Sequence, residues 1–335
     1  MPAGLAAALL LAGCQAPSRP AASTGTAASP LPRVVAADGV LCDLVGRLAA
    51  GDLAVTCLLA AGEDPHAFRP TPRQRQQLAA ASLVLSNGYQ LTPTLDRLPG
   101  VVALAERAVP DSPLLEAQPG EHAGARDPHV WHDPLQAQAL VAAAAQRLAA
   151  LRPPQAAAIS DRAKRLTHLL GELDQWNRQQ LATIPPGPAA QRPTLATGHR
   201  ASASLARRYG LAELPLVDAH SNSAVLRPEA LLEVVAELRR RQVRRLFAEP
   251  GPTPKALQRI SQLAGVPIHA QPLVVDGLGR GPDGPQSLMA TLVGNTCAIS
   301  EGLGGRCDRA AGQALIQRWQ AVGASGGPSA GATAP

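Results

Sequence analysis

One segment constrains this chain more than any other. From Gln155 to about Thr183 there is no proline and Gly171 is the single glycine, while Pro153-Pro154 open the stretch and Pro185-Pro186 stop it. Within it Leu166, Leu169, Leu170, Leu173 and Trp176 recur at helical spacing, which predicts an amphipathic helix with one buried stripe. A helix of about 28 residues is about 40 Å long at 1.5 Å per residue, enough to run beside two lobes. Rigid and single, such a connection permits less hinge opening than flexible crossover strands. His168 lies on it and is expected to pack or face solvent rather than bind a ligand.

On either side, short apolar runs alternate with helical stretches. Strands are predicted at Arg33 to Ala37, Leu53 to Leu59, Ser82 to Ser86 and Val101 to Ala105 in the first half. In the second half they are predicted at Thr194 to Thr197, Leu214 to Val217, Arg245 to Ala248 and Ile268 to Val274. Continuous apolar strands separated by amphipathic helices imply parallel sheets covered on both faces. The fold class expected is α/β, with two lobes, each a parallel β-sheet flanked by helices, joined by one long linker helix. At 335 residues the length also fits two domains better than one.

Composition narrows the function classes. Hydrophobic residues make up 46% but aromatics only 2%, so the core must come from Ala, Leu and Val. The net charge of +6 rests almost wholly on Arg, scattered along helices such as Arg239 to Arg245, and reads as solvated faces. Without stacking aromatics or a basic arm, no nucleic-acid partner is expected. No other segment reaches membrane-spanning length once the first residues are set aside.

Those first residues are not part of the fold. Gly4 to Ala12 is an apolar run too short to cross a bilayer, and Leu11-Ala12-Gly13-Cys14 resembles the bacterial lipobox, whose cysteine is lipidated after cleavage. No Lys or Arg precedes the run, which departs from the usual secretory signal. Gln15 to Leu31 is rich in Pro, Ala, Ser and Thr and reads as a tether. The organisation expected is a signal segment at 1–13, a tether at 14–31, an N-terminal lobe at 32–154 and a linker helix at 155–184. A C-terminal lobe at 185–322 and a disordered tail at 323–335 complete it.

Four cysteines remain beside Cys14. Cys297 and Cys307 flank a Gly-rich turn and are expected to form a disulfide in an oxidising compartment, with two buried thiols as the alternative. Cys42 and Cys57 either pair or simply pack. None shows the spacing of a structural zinc module.

Four residues share one kind of address. His66, His129, His199 and Asp276 each sit in a loop after a predicted strand or before a helix, two in each half of the chain. Thr71-Pro72 and Asp133-Pro134 supply an N-cap and first helical residue behind the first two. Asp276 follows the predicted strand Ile268 to Val274 and precedes a flexible Gly277-Leu278-Gly279. Ligands of open parallel sheets bind at the carboxyl ends of the strands, where all four fall. Three neutral imidazoles and one carboxylate make a first shell for a transition metal, zinc above all.

Three segments carry a family resemblance: Asp64-Pro65-His66 with Pro70-Thr71-Pro72, Asp127-Pro128-His129-Val130-Trp131 with Asp133-Pro134, and Thr197-Gly198-His199. They resemble the substrate-binding proteins of zinc and manganese ABC importers, and the likeness runs from about Val34 to Gln320. The resemblance implies two α/β lobes joined by a long helix, with the metal held between them by His66, His129, His199 and Asp276. At the third position His is similar to zinc-type members and Glu to manganese-type members, so Zn2+ is expected and Mn2+ is the alternative. Glu249 ranks as a neighbour of the ligands or a weak alternative ligand, and His132 and His220 as auxiliary candidates; His269 is expected to pack within a strand. A His- and acid-rich loop before the second ligand, common in zinc-type members, is missing: Asp111 to Arg126 holds only His122.

The resemblance implies capture, not catalysis. A monomer on the extracytoplasmic side, anchored to the bacterial plasma membrane through lipidated Cys14, would pass metal to a membrane permease. A cell-envelope zinc hydrolase is the rival, with Glu63 or Glu249 as base; but no H-E-x-x-H occurs and four protein ligands leave little room for activated water. Proton competition for three histidines places the loss of affinity near pH 6.5, the reference histidine pKa.

Overall fold

The computed structural model describes residues 30–115, 124–187, 191–216, 228–251, 253–281 and 284–324. In the first half, the apolar runs form β1 (Arg33–Ala36), β2 (Ala54–Cys57), β3 (Leu83–Ser86) and β4 (Val101–Ala103). They pair in parallel in the order β2-β1-β3-β4. In the second half, β5 (Thr194–Thr197), β6 (Ala212–Pro215) and β7 (Leu246–Phe247) pair in parallel in the order β6-β5-β7. Parallel pairing requires a crossover between strands, and helices such as Gly39–Ala49 supply it. The helix Gly39–Ala49 starts where Asp38 accepts a hydrogen bond from the Leu41 amide, and it buries Val40, Leu41, Leu44, Val45 and Leu48.

The long helix spans Ala156–Leu181 and buries the expected stripe of Leu166, Leu169, Leu170, Leu173 and Trp176. Its main partner is the helix Pro134–Leu151, which presents Ala137, Ala144 and Ala145 to the core. Small side chains there let the two axes approach closely. Gly171 serves the same approach, because a Cβ on it would meet the Gln138 amide nitrogen at 3.3 Å. Near its far end, Asp174 receives a two-pronged hydrogen bond from Arg208 at 2.9 and 2.7 Å. That fastens the helix Ala203–Tyr209 to the long helix.

The helix Leu288–Gly302 reaches the cores of both sheets, and the helix Arg309–Ala321 joins the first. Leu288, Met289, Leu292, Leu315 and Trp319 share one core with Val34, Leu41 and Leu44, while Ala298, Ile299 and Leu303 join the core around Leu195 and Phe247. Asp43 holds the C-terminal pair in place, accepting from the Trp319 indole at 2.8 Å and from the Leu288 amide at 3.0 Å. Disulfides join Cys42 to Cys57 and Cys297 to Cys307.

Some expected elements differ. The run Ile268 to Val274 is not a strand: Ile268 makes one parallel bridge to Leu246, and then the ladder stops. The His269 ring turns back onto the Gln271 backbone, and Pro272 has no N–H to continue the pairing. His269 therefore packs outside any strand, against Phe247. The sixth strand runs Ala212–Pro215 rather than Leu214 to Val217, because Gly210 ends the preceding helix at φ 70° and Ala212 pairs at once with Pro193. The fourth strand ends at Ala103, where the short helix Leu104–Ala108 begins. Cys14, the tether up to Ser29, His122, His220 and the tail from Ser325 lie outside the described residues.

Gly302 gives a stability prediction. A Cβ there would fall 2.7 Å from Cζ of Phe247, a ring that is 1% exposed and has no room to withdraw. Gly302→Ala is expected to destabilise the fold by about 1–3 kcal/mol in urea unfolding, because the added methyl meets the Phe247 and His269 rings.

Candidate metal centre

Two copies of one local device present the first two histidines. In Asp64-Pro65-His66, the Asp64 carboxylate accepts from the His66 amide at 2.8 Å; in Asp127-Pro128-His129, Asp127 accepts from the His129 amide at 2.9 Å. An aspartate that bonds the backbone two residues on makes a tight turn, and the intervening proline restricts it further. Behind His66, Thr71 and Gln74 cap the helix Pro72–Ala79 reciprocally, and Gln74 also reaches the Leu58 carbonyl at 2.8 Å. Behind His129, Asp133 caps the helix Pro134–Leu151 through the Leu135 amide. Asn87 steadies the loop by donating to the Pro128 carbonyl at 2.6 Å.

The second pair hangs from the other sheet. His199 follows β5, with the Thr197 hydroxyl donating to its carbonyl at 3.0 Å. Asp276 follows Val274, whose amide and carbonyl are both held by the Asn295 side chain at 3.0 and 2.7 Å. Next to it, Leu278 is buried and the Gly279 amide donates to Thr291 at 3.3 Å, so this turn is packed rather than flexible.

These four residues converge. One nitrogen or oxygen of each of His66, His129, His199 and Asp276 lies within 4.8 Å of the others, the one such grouping among the described residues. A single carboxylate oxygen, Oδ1 of Asp276, sits 3.1 Å from Nε2 of His129, 3.1 Å from Nε2 of His199 and 3.5 Å from Nε2 of His66. The His66 Nε2 atom is buried and has no hydrogen-bond partner. An orphaned buried nitrogen facing two other imidazoles and a carboxylate is what a cation would satisfy.

The far nitrogens fix the tautomers. His129 Nδ1 donates to Asp127 at 2.9 Å and His199 Nδ1 donates to Glu249 at 2.6 Å. With Nδ1 committed as a donor, Nε2 is the nitrogen free to offer a lone pair to a metal. Glu249 thus sits behind His199.

Electrostatics follow from the same bonds. Burial opposes charge on the His129 ring, but hydrogen bonds to Asp127 and Asp276 outweigh it and raise its pKa to about 9. For His199 burial likewise opposes charge, and Asp276 and Glu249 hold its pKa well above the usual value. Burial would raise Asp127, yet bonds from His129 and Ser204 hold it down at about 2. Asp276 lies well below the carboxylate range: its burial is overcome by the three histidines around it.

His132 takes a different role from its neighbour. It is buried and its Nε2 lies 3.0 Å from the Val275 carbonyl, to which it donates, and burial drops its pKa to about 4. A neutral ring with that nitrogen occupied supports the Asp276 loop and stands outside the four-residue cluster. His168 is exposed and pairs with Glu172 at 2.8 Å. Sequence reasoning assigned no role to Asp127, Ser204 or Arg280. The repeated Asp-Pro-His string was the available signal for Asp127. Nothing local marks Arg280, which donates across to the Ala61 carbonyl at 2.9 Å. Beside the cluster lies a cleft of about 830 Å³ whose lining includes His66, His199, Asp276, Glu249 and Arg280.

Two parallel α/β lobes with a His3Asp cluster in the loops that meet between them are the architecture of a metal-binding protein. A family model described as zinc-uptake complex component A, periplasmic, matches residues 34–302, and the chain belongs to this family. It is accordingly a metal-binding substrate-binding protein of an ABC importer, not an enzyme, and such proteins work with a membrane permease. It is similar to the zinc-binding protein TroA of Treponema pallidum, at 29% identity over 234 residues covering 68% of this chain and 73% of that protein. It is also similar to the manganese-binding lipoprotein MntA of Halalkalibacterium halodurans, at 24% identity covering 88% of this chain and 95% of that one. Among solved structures, the periplasmic zinc-binding protein TroA superposes with a TM-score of 0.71 at 25% identity, covering 82% of this chain and 99% of its own. The Fe(III)-bound YtgA of Chlamydia trachomatis superposes with a TM-score of 0.72 at 24% identity, covering 82% and 98%. Among the described residues, no helix is long and apolar enough to cross a membrane.

Proposed function

We propose that this protein captures Zn2+ outside the cytoplasm and delivers it to the permease, with His66, His129, His199 and Asp276 as the metal ligands. The observation that carries the reading is the donor set: three Nε2 atoms facing one carboxylate oxygen at 3.1 to 3.5 Å. Three imidazoles and one carboxylate match a four-coordinate zinc shell, whereas manganese favours more oxygen donors. Neutral rings and the Asp276 carboxylate would replace the water of the ion, and the family's capture role needs no open position for an activated water.

The remaining parts of the reading follow from the sequence. Cys14 carries the lipid, 14–31 is the tether, and the lobes at 32–154 and 185–322 close around the ion with 155–184 between them. The anchored body stays beside the plasma membrane on its extracytoplasmic side, as a monomer.

The test is a competitive titration of zinc against manganese on stripped protein carrying Cys14→Ser, as wild type and as His199→Glu. Zinc is expected to win for wild type, and His199→Glu is expected to shift the preference towards manganese. Preference of the wild type for manganese or iron would overturn the zinc assignment.

A further inference from the structure

We propose that Asp127 is a positioning residue that binds the ligand segment of one lobe to the ligand segment of the other, through Ser204. The proposal rests on His129 and His199 being metal ligands, as proposed above.

Asp127 is fully buried and its two carboxylate oxygens face in different directions. Oδ1 accepts from the amide and the Nδ1 of His129, both at 2.9 Å. Oδ2 accepts from the amide of Ser204 at 3.0 Å and from its hydroxyl at 2.8 Å. Ser204 lies in the first turn of the helix Ala203–Tyr209, five positions after His199 and 77 residues away from Asp127. Ser202, which precedes that helix, makes no side-chain cap of its own, so the Asp127 carboxylate supplies the acceptor that the first turn lacks.

The backbone of Asp127 cannot follow Ser204 freely. Its amide donates to Pro113 at 2.8 Å, and its carbonyl accepts from the Ser112 hydroxyl at 2.6 Å, both on the first lobe. The two hydrogen bonds to Ser204 therefore clamp the distance between the segments 127–129 and 199–204. Any relative movement of His199 and His129 must either stretch these bonds or drag the His129 ring with it. A carboxylate bonded behind a metal-binding imidazole also fixes its orientation and tautomer, and loss of such partners costs about 10- to 100-fold in metal affinity.

Ser204→Ala should keep the fold, because Arg208 still ties the same helix to Asp174. The experiment is stopped-flow release of zinc into excess chelator, with affinity from competition, for wild type, Ser204→Ala, Ser204→Thr, Asp127→Asn and the double variant. Ser204→Ala is expected to release zinc about tenfold faster, Ser204→Thr to restore the wild-type rate, and Asp127→Asn to lose about 10- to 100-fold in affinity. Because Ser204 acts through Asp127, its effect should vanish in the Asp127→Asn background. In zinc-loaded protein, the imidazole 15N spectrum should show a protonated Nδ1 at His129. Release from Ser204→Ala at the wild-type rate, or additive effects in the double variant, would sink the proposal while the ligand reading stands. If His129→Ala keeps full zinc affinity, the ligand reading fails and takes this inference with it. Should Asp127→Asn not fold, the pair Ser204→Ala and Ser204→Thr decides alone.

Discussion

Asp276→Asn is expected to weaken zinc binding by roughly 100-fold or more at pH 9. Apparent zinc affinities of four-ligand sites correspond to about 10–16 kcal/mol, so one ligand of four carries roughly 3 kcal/mol, or about 10²-fold. Asp276 should exceed that share, because it is the only anion among the four proposed ligands and its Oδ1 faces all three Nε2 atoms. The loss should shrink as the pH falls. In the wild type Asp276 holds protons on His129 and His199 that zinc must displace, and the asparagine variant no longer does so. Isothermal titration of both proteins at pH 9 and pH 6 measures it. Equal affinities at pH 9 would remove Asp276 from the shell.

A steep pH dependence of affinity is the second large effect. A reference histidine puts the window near pH 6.5, but the bonds that His129 makes to Asp127 and Asp276 outweigh its burial and move its pKa to about 9. His199 is also held well above its usual value by Asp276 and Glu249, so protons on both rings compete with the metal. Zinc affinity should rise by roughly tenfold to a hundredfold per pH unit between about 6 and 9, with proton release in the same window. Stability of the stripped protein should move the other way. A histidine whose folded pKa is raised contributes stability that is complete below about 6.5 and is lost as the pH climbs through about 9. Asp127, held at about 2, stabilises the fold above the ordinary carboxylate range and loses that contribution only as the pH falls through about 2. Thermal melts with and without zinc from pH 6 to 9 should therefore diverge. A zinc affinity that stays flat between pH 8 and pH 5 would be incompatible with a three-histidine site.

Much of the fold is legible in the chain because punctuation residues act locally. Pro153-Pro154 and Pro185-Pro186 bracket the long helix, and Asp133 and Thr71 mark helix starts that depend only on the next few residues. His66, His129 and His199 are legible for the same reason, being tied to helix caps or a strand end, whereas the strand expected before Asp276 does not form. What is not legible depends on distant partners. The run Ile268 to Val274 has strand composition, yet its neighbours offer one bridge and Pro272 breaks the ladder. His129 and His132 are three residues apart and both buried. Their roles separate through remote partners: Asp276 faces the Nε2 of His129, and the Val275 carbonyl, 143 residues away, occupies the Nε2 of His132. The reach of the helices Leu288–Gly302 and Arg309–Ala321 into the first core rests on the bonds of Asp43 and Arg47 to Trp319, which no local pattern connects to them. The partner of Asp127 is equally remote, since Ser204 meets it only once both lobes are in place.

The central claim is that one zinc ion sits among His66, His129, His199 and Asp276. Anomalous diffraction at the zinc edge from crystals of the zinc-loaded protein tests it most directly. The account predicts one peak, with three histidine Nε2 atoms at about 2.0–2.1 Å and an Asp276 oxygen at about 2.0–2.2 Å. A zinc peak elsewhere on the chain, or one at this cluster with His199 turned away, would contradict it.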